Sequence, residues 1–363
     1  MLNVPVHLSS AFKQQDIGVH KGYEYARSGN PTREALEKLI CELECGYQGF
    51  AFASGMAATT AVLMLFKSGD KILLSNNVYG GSFRVLDKVF KQFQLDYELV
   101  DTSNLELIAK KITPSVKAIF IETPTNPLMG ISDIFEIAQL AKKHNIISIV
   151  DNTFMTPYLQ QPIKLGADIV LHSATKYLGG HSDLIAGLAI VNNSELAQKL
   201  GFIQNATGGV LGPFDSWLVI RGIKTFALRM DCHIANAKHI ISKLKVNPAG
   251  TKIYYPGLTD HPNHELHRKQ ATGDGGVISF ILAEKYNVNK FFTSLKLITL
   301  AESLGGVESL ISHPASMTHA AIPENIRLDL GIVPNLIRLS VGIESANDLA
   351  FDLEQAFVAS EIK

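Results

Sequence analysis

Asp168-Ile169-Val170-Leu171-His172-Ser173-Ala174-Thr175-Lys176-Tyr177-Leu178-Gly179-Gly180-His181 runs from an apolar strand into a loop of small hydroxyl residues and glycines built around one lysine. A second apolar run, Ile146-Ile147-Ser148-Ile149-Val150, ends in Asp151, 25 residues before Lys176. Continuous apolar runs of this length fit strands covered on both faces, as in a mostly parallel sheet wrapped by helices. In open sheets of that kind ligands bind beyond the carboxyl ends of the strands, where both Asp151 and Lys176 fall.

Outward from this stretch, short apolar runs alternate with helical periodicity. Ala51-Phe52-Ala53 precedes a helix expected over Met56–Phe66. Strands are expected at Lys71–Leu74, Tyr97–Val100, Ala118–Glu122 and Gly187–Val191, with helices over Gly81–Phe93 and Ile131–His144. Thr32 is the expected N-cap of a helix over Arg33–Cys45. Phe214–Lys245 reads as one long helical stretch. After it come a strand at Val277–Leu282, a helix at Val288–Leu295, strands around Leu297 and at Leu336–Val341, and a helix from about Asp348. The fold class is therefore α/β with a smaller C-terminal α+β domain. The expected divisions are an N-terminal arm (1–35), a ligand-binding domain (36–230) and a C-terminal domain (231–363), with the boundary near Asp231.

Composition excludes several classes. With 33 basic and 34 acidic residues the net charge is -1, which provides no electrostatic footprint for nucleic acid or an anionic membrane. No apolar run approaches the roughly 20 residues that span a bilayer, and Met1–Ser10 has no secretory pattern, so the expected compartment is the cytoplasm. Three cysteines make no disulfide framework. Cys41 and Cys45 lack a second ligand pair at zinc spacing, so no metal is expected. His172 reads as a packed or hydrogen-bonded histidine.

The chemistry follows from residue types. A desolvated lysine can react with an aldehyde to form a Schiff base, and Ser173 and Thr175 offer hydroxyls to a phosphate. Asp151 at a strand terminus can hold a pyridinium nitrogen, strengthening an electron sink. Ser54-Gly55-Met56-Ala57 joins a strand to a helix whose free N–H groups favour a phosphate by about 1 kcal/mol. Tyr79 can lay its ring on a flat heteroaromatic group. Lys176, Asp151, Gly55, Met56, Ser173, Thr175 and Tyr79 together point to pyridoxal phosphate (PLP).

Tyr23-Glu24-Tyr25-Ala26-Arg27-Ser28-Gly29-Asn30-Pro31-Thr32, Ser54-Gly55-Met56, Val78-Tyr79-Gly80-Gly81 and Glu122-Thr123-Pro124-Thr125-Asn126-Pro127 resemble the Cys/Met metabolism family of PLP enzymes. Asp151-Asn152-Thr153-Phe154, Ser173-Ala174-Thr175-Lys176-Tyr177, Ser303-Leu304-Gly305-Gly306-Val307-Glu308-Ser309, His313-Pro314-Ala315-Ser316-Met317-Thr318-His319 and Arg338-Leu339-Ser340-Val341-Gly342 extend the resemblance along nearly the whole chain. It implies a fold-type I, aspartate aminotransferase-like subunit in a homotetramer of two active dimers. Tyr25 and Arg27 would reach the phosphate in the neighbouring subunit. Arg338 would grip the substrate α-carboxylate, Ser303 would orient the lysine, and Asn126 would border the ring and carboxylate. Lys176 and Tyr79 would move protons.

The family holds γ-lyases, γ-synthases, β-lyases and methionine γ-lyases on one scaffold, so the pocket has to discriminate. Glu302 resembles the residue of cystathionine γ-lyases and γ-synthases that meets a distal ammonium, and Arg84 matches arginines near the distal carboxylate. Gly81 and Gln204-Asn205 stand where methionine γ-lyases carry a cysteine and a Lys-Asp pair. The implied activity is γ-elimination of L-cystathionine to cysteine, 2-oxobutyrate and ammonia. Next comes γ-replacement of an O-acyl-homoserine by cysteine, then β-elimination. A non-catalytic homologue would be expected to lose Lys176 or Asp151, and both are present.

Overall fold

The apolar runs become the interior of a seven-stranded sheet in a computed structural model that describes residues 2–320 and 324–362. In chain order its strands are β1 (Gln48–Phe52), β2 (Lys71–Ser75), β3 (Asp96–Val100), β4 (Val116–Glu122), β5 (Ile147–Asp151), β6 (Ile169–Ser173) and β7 (Gly187–Val191). Their spatial order is β1-β7-β6-β5-β4-β2-β3. Only β7 runs against its neighbours, and the pairs β6-β5, β5-β4, β4-β2 and β2-β3 are parallel. Ile119, Ile121 and Val150 pack under one face, while Phe120, Ile149 and Leu171 pack under the other, which is why these strands read as unbroken apolar runs.

A second sheet, ordered β10-β11-β12-β9-β8, forms the C-terminal region. Its strands are β8 (Gly250–Tyr254), β9 (Val277–Leu282), β10 (Thr299–Leu300), β11 (Leu310–Ser312) and β12 (Leu336–Ser340). A core of its own, including Phe280, Phe291, Ile337 and Phe357, lies beneath it. The helix Phe226–Val246 leads into this region, and Asp231 falls within that helix.

Several element boundaries differ from expectation for local reasons. The first helix is Pro31–Glu44, and its N-cap is Asn30, not Thr32. The Asn30 side chain accepts the N–H groups of Thr32 and Arg33, and Pro31 supplies a preset φ at the first helical position. The helix expected over Ile131–His144 begins at Ile134 because Asp133 caps it, accepting from the Glu136 N–H at 3.0 Å. Gly81–Phe93 is an α-helix, Gly80–Lys88, followed by a 3₁₀ turn, Phe90–Phe93, with the break at β-branched Val89. The stretch expected over Phe214–Lys245 divides into Pro213–Ile223 and Phe226–Val246. Among the described residues before Pro31 the chain forms only isolated bridges, such as Ala11 with Tyr25. Among the described residues no helix is long and apolar enough to cross a membrane.

Candidate active site

Three adjacent strands end side by side, and their register sets the centre of a cavity of about 370 Å³. Glu122 at the end of β4 pairs with Asp151 at the end of β5, which pairs with Leu171 in β6. β6 then delivers Ser173, Thr175 and Lys176 to the same cavity. The joint from β1 into the helix Gly55–Leu63 brings Ser54, Gly55 and Met56. Across from them, Ser303, Glu302 and Arg338 enter from the C-terminal region.

Lys176 Nζ donates to Ser303 Oγ at 2.6 Å. Burial, then the Arg338 guanidinium, push its pKa down to about 8, against an opposing pull from Glu302. The lysine is thus nearer its neutral, nucleophilic form than a surface lysine. Asp151 is pushed upward by burial, opposed by its bonds with Thr153 and by nearby His172. Its Oδ1 accepts the Thr153 N–H at 3.0 Å. His172 is buried at the cavity wall and shares a 2.6 Å hydrogen bond with Glu44.

The joint after β1 is a cradle. Ser54 caps the helix by accepting the Ala57 N–H at 3.0 Å, and Gly55 packs so closely that a Cβ there would lie 3.1 Å from Ser173 Cβ. The Thr175 hydroxyl is tied to the β7 approach, donating to the Ala186 carbonyl at 3.3 Å and accepting its N–H at 3.1 Å. On the open side Tyr79 is 43% exposed. A Cβ at Gly81 would come within 2.4 Å of the Tyr79 ring, so glycine leaves that ring its place.

The opposite wall is built around Arg338 on β12. Its Nη1 donates to Asn126 Oδ1 at 3.2 Å and its Nη2 to the Ser303 carbonyl at 2.7 Å. Its buried Nε has no hydrogen-bond partner, and burial lowers its pKa to about 10. Ser303 has φ of +87°, a costly conformation for a non-glycine residue. The bonds to Arg338 and Lys176 hold it there. Glu302 and Arg84 line the same cavity.

The cavity therefore gathers Lys176, Tyr79, Gly55, Met56, Asp151, Ser173 and Thr175 with Arg338, Ser303, Asn126, Glu302 and Arg84. Tyr25 and Arg27 are not among its lining residues. Tyr25 is 48% exposed, and Arg27 Nη1 donates to Asn205 Oδ1 at 2.8 Å. Among the other lining residues are Glu122 and His319, which lie in the motifs that carry the family resemblance but take no site role from sequence. Glu122 reads as a strand end, and His319 as one polar residue in a loop. His319 Nε2 donates to the Asn126 carbonyl oxygen at 3.2 Å, and its Nδ1 accepts from the Thr318 hydroxyl at 2.8 Å. Burial, then Arg338, push its pKa down to about 4, so near neutral pH the ring is uncharged and Nε2 is the donor.

A helix N-terminus with hydroxyls fits a phosphate, a buried carboxylate fits a pyridinium, and a desolvated lysine fits an aldehyde. This donor set fits PLP. The model of the family described as Cys/Met metabolism PLP-dependent enzyme matches residues 1–358. A cystathionine beta-lyase of Lactococcus lactis subsp. lactis (strain IL1403) is 56% identical over 355 residues, covering 98% of this chain and 93% of the relative. A cystathionine gamma-lyase of Bacillus subtilis (strain 168) is also 56% identical over 355 residues, covering 98% and 94%. The crystal structure of cystathionine gamma-lyase from Lactobacillus plantarum complexed with L-serine superposes with a TM-score of 0.97 at 53% identity, covering 98% of this chain and 93% of that one. Cavity, fold and whole-length match agree, and the chain belongs to the Cys/Met metabolism family of PLP-dependent enzymes.

Proposed function

We propose that the protein catalyses γ-elimination on L-cystathionine, in which cystathionine and water give cysteine, 2-oxobutyrate and ammonia. The observation that carries this reading is the placement of Glu302 and Arg84 in the cavity that also holds Lys176 and Arg338. A substrate with a zwitterion at each end needs counter-charges at both ends of its pocket. Arg338, with its free Nε, serves the α-carboxylate, while Glu302 and Arg84 serve the distal ammonium and carboxylate.

In this reading Ser54, Gly55, Met56, Ser173 and Thr175 hold the cofactor phosphate, Asp151 keeps the ring nitrogen protonated, and Tyr79 covers the ring. Bound PLP supplies an electron sink for the pair left when the substrate's Cα–H bond breaks. The Lys176 amine takes the α-proton and then serves proton movement at Cβ, with Ser303 Oγ fixing where Nζ rests between transfers. Tyr79 assists proton transfer to the departing sulfur in this reading. Asn126 and Ser303 hold Arg338 in the orientation that receives the α-carboxylate. Tyr25 and Arg27, outside the cavity of their own chain, complete the phosphate site of a neighbouring subunit in a homotetramer of active dimers.

β-Elimination is the second reading, supported by the 56% identical Lactococcus relative named for that reaction. The deciding experiment incubates purified, PLP-loaded protein with L-cystathionine alone and identifies the keto acid by mass spectrometry. 2-Oxobutyrate with cysteine is the expected result. Pyruvate with homocysteine overturns it in favour of β-elimination. No keto acid directs the next assay to O-acyl-homoserine with cysteine, the γ-replacement reaction.

A further inference from the structure

Glu122 is 5% exposed and sits at the end of β4, in register with Asp151. Its two carboxyl oxygens serve opposite walls of the cavity. Oε2 accepts the backbone N–H of Tyr79 at 2.7 Å, and Oε1 accepts the backbone N–H of Asn126 at 3.1 Å. Beyond Asn126 the bonds continue through its Oδ1 to Arg338, through Arg338 to the Ser303 carbonyl, and through Ser303 Oγ to Lys176. The hydrogen bonds thus form one path from the ring-covering tyrosine to the reactive lysine, and Glu122 is its only member with no part in the reading above.

We infer that Glu122 is a positioning residue that ties the ring-covering side of the site to the substrate-carboxylate side, so that cofactor stacking and carboxylate binding are set by one side chain. The tie is through backbone N–H groups, so it fixes where Tyr79 and Asn126 begin, whatever rotamers their side chains adopt. Neither N–H is satisfied by a strand ladder; the bond from Asn126 is buried and the one from Tyr79 part-buried, so a lost acceptor leaves an N–H without its protein partner. Burial, together with the adjacent Asp151, holds the Glu122 carboxyl well above its ordinary pKa. A carboxyl kept at such a location for charge alone would be poorly placed, and two backbone bonds supply a reason for it.

The inference rests on the assignment of Tyr79 to the ring and Asn126 with Arg338 to the α-carboxylate, and its test is independent of which bond the enzyme breaks. In Glu122→Gln the amide oxygen can accept one N–H, while the amide nitrogen faces the other donor. Holoenzyme is assayed by the visible circular dichroism of bound PLP, by PLP affinity, and by the spectral titration of glycine, which has an α-carboxylate and no leaving group. The expected result is a folded variant with at least half of the visible dichroism lost and with PLP and glycine both bound about tenfold more weakly, the size of one lost acceptor. Glu122→Asp keeps the carboxyl group but is one methylene shorter and cannot span both donors, so it is expected to show the same paired loss. It replaces the glutamine variant if that does not fold. Wild-type values in both variants overturn the inference. A change confined to PLP or confined to glycine also overturns it, because the link between the two walls is the claim. A failure of cystathionine turnover leaves these binding readouts intact and concerns the reaction alone.

Discussion

A single methyl group added at Gly187 should loosen the cofactor by pressing on backbone atoms alone. Gly187 opens β7 and is paired with Phe52 on one side and Ser173 on the other. A Cβ there would lie 2.0 Å from the Ser54 carbonyl oxygen, 2.4 Å from its carbonyl carbon and 2.7 Å from the Gly55 nitrogen. All three are backbone atoms, so no rotamer change relieves the clash. Ordinary contact begins at 3.4 Å, and the joint must therefore retreat by about 1.4 Å. Overpacking of this kind costs about 1–3 kcal/mol, and the moved segment is the helix N-terminus assigned to the phosphate. A hydrogen bond stretched that far is lost. Bonds to charged groups are worth about 1.5–3 kcal/mol each, so Gly187→Ala should weaken PLP binding roughly 10- to 100-fold. The assay is titration of apoprotein with PLP by visible absorbance, beside a melting curve to show that the variant folds. Gly55→Ala is the comparison, since its Cβ meets Ser173 Cβ at 3.1 Å, tight by a few tenths of an ångström. Its loss should be about threefold or less, some 0.6 kcal/mol. Near-wild-type affinity in Gly187→Ala, or a larger loss in Gly55→Ala, would refute the reasoning.

Replacing Glu302 by alanine should lower kcat/KM for L-cystathionine about 10- to 100-fold while a substrate without a distal amine changes little; equal losses would remove Glu302 from recognition. The Lys176 amine, whose pKa burial lowers to about 8 from an ordinary lysine value of 10.5, is charged below that pH and neutral above it. Recombination of apoprotein with PLP should therefore accelerate as pH rises through about 8 and then level off, and Glu302→Gln, which removes a group that raises this pKa, should shift the midpoint downward. A midpoint near 10 would contradict the burial argument. Arg27→Ala and Lys176→Ala should each be inactive alone, yet refolded together in equal amounts should regain about one quarter of wild-type activity if the proposed active dimer forms, because half of such dimers would be mixed and each mixed dimer would hold one complete site. No recovery would mean that Arg27 does not act in the neighbouring subunit.

The parts of this molecule that were legible in its sequence share a physical cause. Strands buried on both faces leave unbroken apolar runs, so β4, β5, β6 and β7 are visible as Ala118–Glu122, Ile146–Asp151, Asp168–His172 and Gly187–Val191, and the residue that ends such a run sits where ligands bind. Asp151 and Lys176 are found this way. β8 is not, because it is at an edge of its sheet with Thr251 and Lys252 exposed, and β11 is only three residues long. The helix Ser194–Thr207 is masked by a weakly amphipathic face, although its Asn193 cap is a fair local signal. Asn30 outcompetes Thr32 as a cap because Pro31 follows it. Glu122 was hidden for another reason: its partners are backbone N–H groups on two loops, and a backbone contact leaves no mark on the identity of Tyr79 or Asn126.

That concealment bears on why one scaffold carries several activities. Relatives named for β- and γ-elimination are equally identical to this chain at 56%, so overall similarity cannot encode which bond breaks. Lys176, Ser303, Arg338, Asn126, Glu122 and Tyr79 form one hydrogen-bonded path, and in the proposed reaction those groups serve steps common to every member, holding the α-carboxylate and moving the α-proton. Glu302 and Arg84 face the same cavity without belonging to that path. They can be exchanged, or their reach altered, while the shared machinery stays in place. Since about 1.4 kcal/mol changes a rate tenfold, a small change in how the distal end is held is enough to redirect the outcome. Ser303 joins the two sets. Its left-handed backbone, pinned by Arg338 and Lys176, also sets the direction in which the preceding residue, Glu302, leaves the chain, so the hydrogen-bonded path aims the carboxylate assigned to the distal end.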